Sequence, residues 1–116
     1  MTELTNRARS WIEADPDPST RAELSAVIES GAIDDLEDRM AGTLEFGTAG
    51  IRGAVEAGSN RMNRAVVIRT TAGVAAHLAS VTDPSARVIV VGRDARTSSP
   101  AFMEDTIAVL TAAGFT

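Results

Sequence analysis

The chain contains no cysteine, no lysine and no tyrosine, and only one histidine, one tryptophan and three phenylalanines. Without cysteine there is no disulfide framework, no thiol nucleophile and no thiolate metal site. Four aromatic rings in a chain of net charge -5 offer little on which to stack bases, so nucleic acid is not an expected partner. No apolar run approaches the roughly 20 residues that cross a bilayer. Met1-Thr2-Glu3-Leu4-Thr5 also lacks the basic and then apolar pattern of a signal peptide. No membrane is therefore expected as a partner, and the cytoplasm is the default location. The lone His77 has no Ser, Cys or second His at a matching motif spacing, so it reads as a packing or surface residue rather than a general base.

What is present is the composition of one globular domain: 116 residues, 44% hydrophobic and 23% charged. The charge is unevenly spread. Residues 1–45 carry eleven acidic and four basic side chains, whereas residues 46–116 carry five acidic and seven basic ones. The anion-attracting part is the second. All eleven basic residues are arginine, whose planar fork matches phosphate, and Arg52, Arg61, Arg64, Arg93 and Arg96 fall in or beside expected loops.

Residues 1–42 read as a helical N-terminal arm. Leu4, Ala8, Trp11 and Ile12 share one helical face, and Asp15-Pro16-Asp17-Pro18 ends that helix. Thr20 and Glu23 have the spacing of a capping box before a second helix carrying Leu24, Val27 and Ile28, with Gly31 as its stop. Ile33, Leu36 and Met40 mark a short third helix, and the interleaved Asp34, Asp35, Glu37 and Asp38 read as a solvated face rather than a metal cluster.

Beyond the arm, Ala54-Val55 suggests a short extended piece ending in the turn Gly58-Ser59-Asn60. Asn63 then caps a longer helix with Val67, Thr71, Val74 and Leu78 as its stripe, and Ala72, Gly73, Ala75 and Ala76 would let it pack closely on a sheet. Val88-Ile89-Val90-Val91 is an uninterrupted β-branched run, expected as a parallel strand buried on both faces. Gly92–Ser99 follows as a loop, with Ser99 capping and Pro100 opening a last helix that ends at Gly114. This order predicts an α/β fold in which the helical arm precedes an incomplete doubly wound, mostly parallel α/β/α layer over residues 43–116. In such layers ligands gather at the C-terminal ends of strands, where the Gly92–Ser99 loop falls.

Phe46-Gly47-Thr48-Ala49-Gly50-Ile51-Arg52-Gly53 puts three glycines, one hydroxyl and one guanidinium into one short loop. Such a loop lets backbone approach an anion closely and leaves Thr48 and Arg52 as its polar side chains. It is also the composition of a plain turn. Neither common nucleotide motif fits: Thr48 stands where a P-loop needs lysine, and the Rossmann spacing of glycines is missing.

Together these loops resemble the α-D-phosphohexomutases, the family of phosphoglucomutase and phosphomannomutase. The pieces are Phe46–Gly53, Asn60-Arg61-Met62-Asn63 and Gly92-Arg93-Asp94-Ala95-Arg96-Thr97-Ser98-Ser99. Trp11, Asp15-Pro16, Thr20-Arg21 with Glu23-Leu24, and Leu44-Glu45-Phe46 are similar to the phosphoglucomutase-2 and phosphopentomutase branch. The resemblance implies a reversible phosphoryl shift on a hexose or pentose phosphate by a phosphoserine enzyme, with Mg²⁺ and a sugar bisphosphate activator. It places Arg52, as the catalytic residue, beside the transferring phosphate, with Thr48 lining the site and Arg93 and Arg96 contacting anions or bracing their loop.

The family's nucleophile string, Asp-rich metal loop, sugar loop and C-terminal phosphate loop are not in this sequence. The expectation is therefore an N-terminal portion of domain I of a four-domain mutase. It would work with the remaining mutase domains, have no metal ligands of its own and be inactive alone. The other reading that the sequence leaves open is a non-catalytic anion-binding or interaction module.

Overall fold

The computed structural model describes residues 2–116. Five α-helices, α1 (Glu3–Ala14), α2 (Pro18–Ser30), α3 (Ile33–Arg39), α4 (Arg64–Val81) and α5 (Ser99–Ala112), are joined by loops and one 3₁₀ turn at Pro84–Ala86. The chain divides into two compact units, one running to Val66 and the other from Val67 to Thr116.

In the first unit, local chemistry sets each helix end. The Thr2 hydroxyl accepts the Thr5 N–H at the start of α1, and Asp15, ahead of Pro16, leaves the helix in an extended conformation. Asp17 then caps α2 by accepting the Ser19 N–H, with Pro18 in the first turn, where its missing N–H costs nothing. The capping box expected from Thr20 and Glu23 does not form. The start of the helix lies earlier, so the Thr20 hydroxyl donates instead to the buried Asp15 carboxylate and Glu23 is free to bond elsewhere. Gly31, at φ 72°, ends α2 as the sequence suggests.

Ala8, Leu24, Leu36, Met40 and Ala57 form the buried centre of this unit, with Leu4, Trp11, Ile12, Val27 and Ile28 packed around it. Leu24 and Leu36 are the largest side chains fully removed from water. Ile33, expected in the same stripe, is instead half exposed at the first position of α3.

The second unit is organised around Ala75, Leu110 and Phe115, joined by Leu78, Ile89 and Val91. Its α5 closes with a Schellman arrangement: Phe115 N–H bonds the Leu110 carbonyl, Gly114 N–H bonds Thr111, and Gly114 sits at φ 92°. That geometry turns Phe115 back against Leu110, and the Arg87 guanidinium lies 6.0 Å from the Phe115 ring centroid.

Two expectations for this unit are corrected. Val88-Ile89-Val90-Val91 is buried on one face only: Ile89 and Val91 face the core, whereas Val88 and Val90 are 74% and 92% exposed. The alternation is that of a strand, but no strand ladder forms among the described residues, where only the isolated bridges Gly47 to Gly50 and Val55 to Met62 occur. A parallel strand needs a neighbour delivered by a crossover, and here a single rung is present: Thr116 N–H bonds the Arg87 carbonyl and Ile89 N–H bonds the Thr116 carbonyl. Correspondingly, Ala72, Gly73 and Ala76 of α4 are exposed rather than pressed on a sheet.

Candidate phosphate-binding site

The Phe46–Gly53 loop is a tight turn with Thr48 and Ala49 at its corner. Gly47 N–H donates to the Gly50 carbonyl at 2.7 Å and Gly50 N–H returns to Gly47 at 3.3 Å. Gly50 takes φ 96°, a value side chains other than glycine's resist. A Cβ added to Gly53 would lie 2.9 Å from a terminal methyl of Leu44, which would have to shift to make room. The glycines thus serve the fold of the loop, and they leave Thr48 and Arg52 exposed on it. Neither the Thr48 hydroxyl nor the Arg52 guanidinium has a side-chain partner among the described residues, which leaves both free for a ligand. A free guanidinium beside a glycine turn is chemically suited to a dianion such as phosphate.

Both ends of this loop are tied to α2, α3 and the turn at 56–60. At the entry, the Ser59 hydroxyl donates to the Gly42 carbonyl at 2.7 Å. At the exit, Met62 N–H bonds the Ala54 carbonyl and Glu56 N–H bonds the Met62 carbonyl. Ala57, fully buried, has its peptide groups held by one ion pair: Glu23 Oε2 accepts the Ala57 N–H at 2.7 Å, and Arg39 Nη1 donates to the Ala57 carbonyl at 3.2 Å and to Glu23 Oε2 at 2.5 Å. Arg39 also meets Glu56 through Nη2 and Asp35 through Nε. Burial works against its charge, but the hydrogen bonds to Glu23 and Asp35 and the charges of Asp35 and Glu56 outweigh it and raise its pKa.

Arg61 pairs with Asp38 and donates to the Asn60 carbonyl. Asn63 donates to the carbonyls of Glu56 and Gly58 while its side-chain oxygen accepts the Val66 N–H, capping α4 as expected. Asp35 and Asp38, read from sequence as a solvated face, thus hold arginines. The role of Glu23 and Arg39 at Ala57 is not signalled in the sequence, where Glu23 reads as a capping residue, because Ala57 lies 34 positions from Glu23 and 18 from Arg39.

The second loop belongs to the second unit and is organised by Asp94. Its carboxylate accepts the Arg96 N–H at 3.1 Å and the Ser99 hydroxyl at 2.5 Å, and its other oxygen meets Arg96 Nε at 3.1 Å. Ser99 therefore does not cap α5, as its sequence position suggests; Ser98 occupies the cap position without a side-chain bond. Arg93 donates to the Asp94 carbonyl and, like Arg96, is exposed. Thr48 and Arg52 thus share one loop, and Arg93 and Arg96 share another.

The Ser99 hydroxyl, the Arg96 N–H and the Arg96 charge hold the Asp94 pKa below its ordinary 3.8. A depressed carboxylate stabilises the loop fully above the ordinary value and loses that contribution as pH falls through the lower, folded value. A ¹³C titration of the Asp94 carboxyl is expected to give a midpoint below 3.8 that moves upward in Ser99→Ala. An unchanged midpoint in that variant contradicts the hydroxyl's role.

Among the described residues no group of three or more His, Asp or Glu side chains could hold a metal ion, so the residues present do not fit a magnesium site. No helix among them is long and apolar enough to cross a membrane.

One loop is thus a glycine turn presenting a hydroxyl and a free guanidinium, and the other bears Arg93 and Arg96 and leads into α5. Residues 43–116 match the family described as phosphoglucomutase/phosphomannomutase, alpha/beta/alpha domain I. The chain belongs to that family. It is similar to the phosphoribomutase of Saccharomyces cerevisiae, 33% identical over 98% of this chain and 18% of the relative. It is likewise similar to the phosphopentomutase of Mus musculus, 33% identical over 80% of this chain and 15% of the relative. The glucose 1,6-bisphosphate synthase of Homo sapiens is 34% identical over 81% of this chain and 15% of the relative. The chain spans less than a fifth of the length of these curated relatives. No solved structure matches it.

Proposed function

We propose that this chain is the domain I portion of a phosphosugar mutase and supplies part of the wall that grips the sugar's phosphate. The observation that carries the reading is the Phe46–Gly53 turn, in which Arg52 stands exposed and unpaired beside backbone that only glycine allows. In this reading Arg52 neutralises charge on the transferring phosphoryl group and Thr48 donates to one of its oxygens, work that consists of positioning and electrostatics. On its own loop, exposed Arg93 is available to an anion, and Arg96, held by Asp94, braces that loop.

The nucleophile, the magnesium ligands and the sugar-discriminating groups come from the rest of the mutase, the remainder of domain I and the other domains, which are the partners of this segment, and a sugar bisphosphate serves as activator. The alternating Val88–Val91 run and its one rung with Thr116 support a further part of the proposal, that this run seats as a strand of a doubly wound parallel sheet. The setting is the cytoplasm.

Isothermal titration of the 116-residue chain tests the binding role. A pentose or hexose phosphate is expected to bind, the unphosphorylated sugar is not, and neither is turned over. Equal binding of the two sugars, or isomerisation by the pure chain, contradicts the reading.

A further inference from the structure

We infer that the Glu23–Arg39 pair is a positioning device for the Phe46–Gly53 loop: α2 and α3 act as a clasp that fixes the backbone presenting Thr48 and Arg52. The inference rests on the proposed phosphate role of that loop and adds residues that lie outside it.

The connection is a continuous set of bonds. Arg39 is 11% exposed at its side chain and spends every nitrogen of its fork: Nε on Asp35, Nη1 on Glu23 and the Ala57 carbonyl, Nη2 on Glu56. Glu23 shares one oxygen between Arg39 and the Ala57 N–H. With both peptide groups of Ala57 held, the extended piece before it is pinned, and Ala54 in turn accepts from Met62. Gly53 lies one residue before Ala54, so the loop's exit leads directly into this pinned piece. The backbone of Arg39 contributes as well, because its carbonyl accepts the Asn60 N–H and leaves no space for a Cβ on Gly58.

A clasp of this kind is wasteful for stability alone. Ion pairs of intermediate exposure contribute little net free energy, and a planar fork serving four acceptors is what sets backbone geometry rather than what fills a core. The order it confers on a phosphate-gripping turn lowers the reorganisation required when an anion arrives.

The test is amide hydrogen exchange by NMR on the whole chain, comparing the native protein with Arg39→Gln, Arg39→Lys and, as a control, Ala8→Gly. Ala8→Gly loosens α1 in the core that Ala8 shares with Ala57, but removes no hydrogen bond or ion pair of the clasp. In Arg39→Gln the Gly47 and Ala57 amides are expected to exchange about 10-fold faster relative to those of α1, with Arg39→Lys in between because an ammonium recovers only part of the fork. Ala8→Gly should leave that ratio unchanged. Faster exchange at Ala57 with Gly47 unaltered overturns the inference, as does equal acceleration of loop and α1 in Arg39→Gln and Ala8→Gly alike. Should Arg39→Gln not fold, Glu23→Gln, which keeps an acceptor for the Ala57 N–H but loses the charge, is read by the same ratio. Inorganic phosphate added to the native chain separates the two claims: absence of binding defeats the phosphate reading, whereas the exchange ratios need no ligand and decide the clasp by themselves.

Discussion

Gly58→Ala is expected to destabilise the first unit by about 2–6 kcal/mol, the largest single-residue effect on folding anticipated for this chain. Two causes add. Gly58 holds φ 126°, which an alanine adopts only under strain of order 1–3 kcal/mol. A Cβ there would also stand 2.6 Å from the Arg39 carbonyl oxygen and 2.8 Å from the Arg39 Cβ, both on or next to backbone that cannot swing aside, and such overpacking costs about another 1–3 kcal/mol. The carbonyl that would have to move is the one accepting the Asn60 N–H, so relief of the clash breaks a bond of the 56–60 turn. Urea unfolding followed by Trp11 fluorescence measures the effect. By contrast, Gly73→Ala, where an added Cβ meets nothing within 4 Å inside a helix, should be neutral or mildly stabilising. Comparable midpoints for the two variants contradict the assignment.

Arg52→Ala, introduced into a mutase that carries this segment with its remaining domains, is expected to lower kcat/KM by about one to two decades. A charge-assisted hydrogen bond contributes on the order of 1.5–3 kcal/mol, which is the free-energy equivalent of that fall. The loss should appear in kcat as well as KM, because negative charge on the transferring group is spread most widely in the transition state. Arg52→Lys should recover only part of the rate, since a point charge replaces a fork that meets two oxygens at once. Stability is expected to change little, because the side chain is exposed and unpaired among the described residues. Near-normal turnover of the alanine variant would refute the role.

The sequence was informative where the causes are local. Helix α1 ends at Ala14 because prolines follow, Gly31 and Gly114 stop their helices through positive φ, and Asn63 caps α4, all within a few positions of the residues responsible. It was less informative where two local candidates compete. Asp17 took the cap that Thr20 was suited to, and Ser99, which has the chemistry of a cap, found the Asp94 carboxylate closer to hand. Burial of a β-branched run was misjudged for a different reason. Hydrophobicity says that Val88 and Val90 prefer cover but not that cover is present, and here the face they occupy is open.

Of the candidate site, the glycine loop was legible because its geometry is written into its glycines. The clasp was not. Glu23, Arg39 and Ala57 are brought together only by the packing of α2 and α3 around Leu24, Leu36 and Met40, and each residue alone has an ordinary sequence context.

The central claim is that the Phe46–Gly53 turn holds phosphate, and the most direct measurement is a ¹⁵N NMR titration of this chain with inorganic phosphate at constant ionic strength. Saturable shifts are expected at the Gly47, Gly50 and Gly53 amides and at Arg52 Nε, with affinity about 10- to 100-fold weaker for Arg52→Ala. Shifts scattered over exposed arginines such as Arg9, Arg21 and Arg69, with the three loop glycines unmoved, would contradict it.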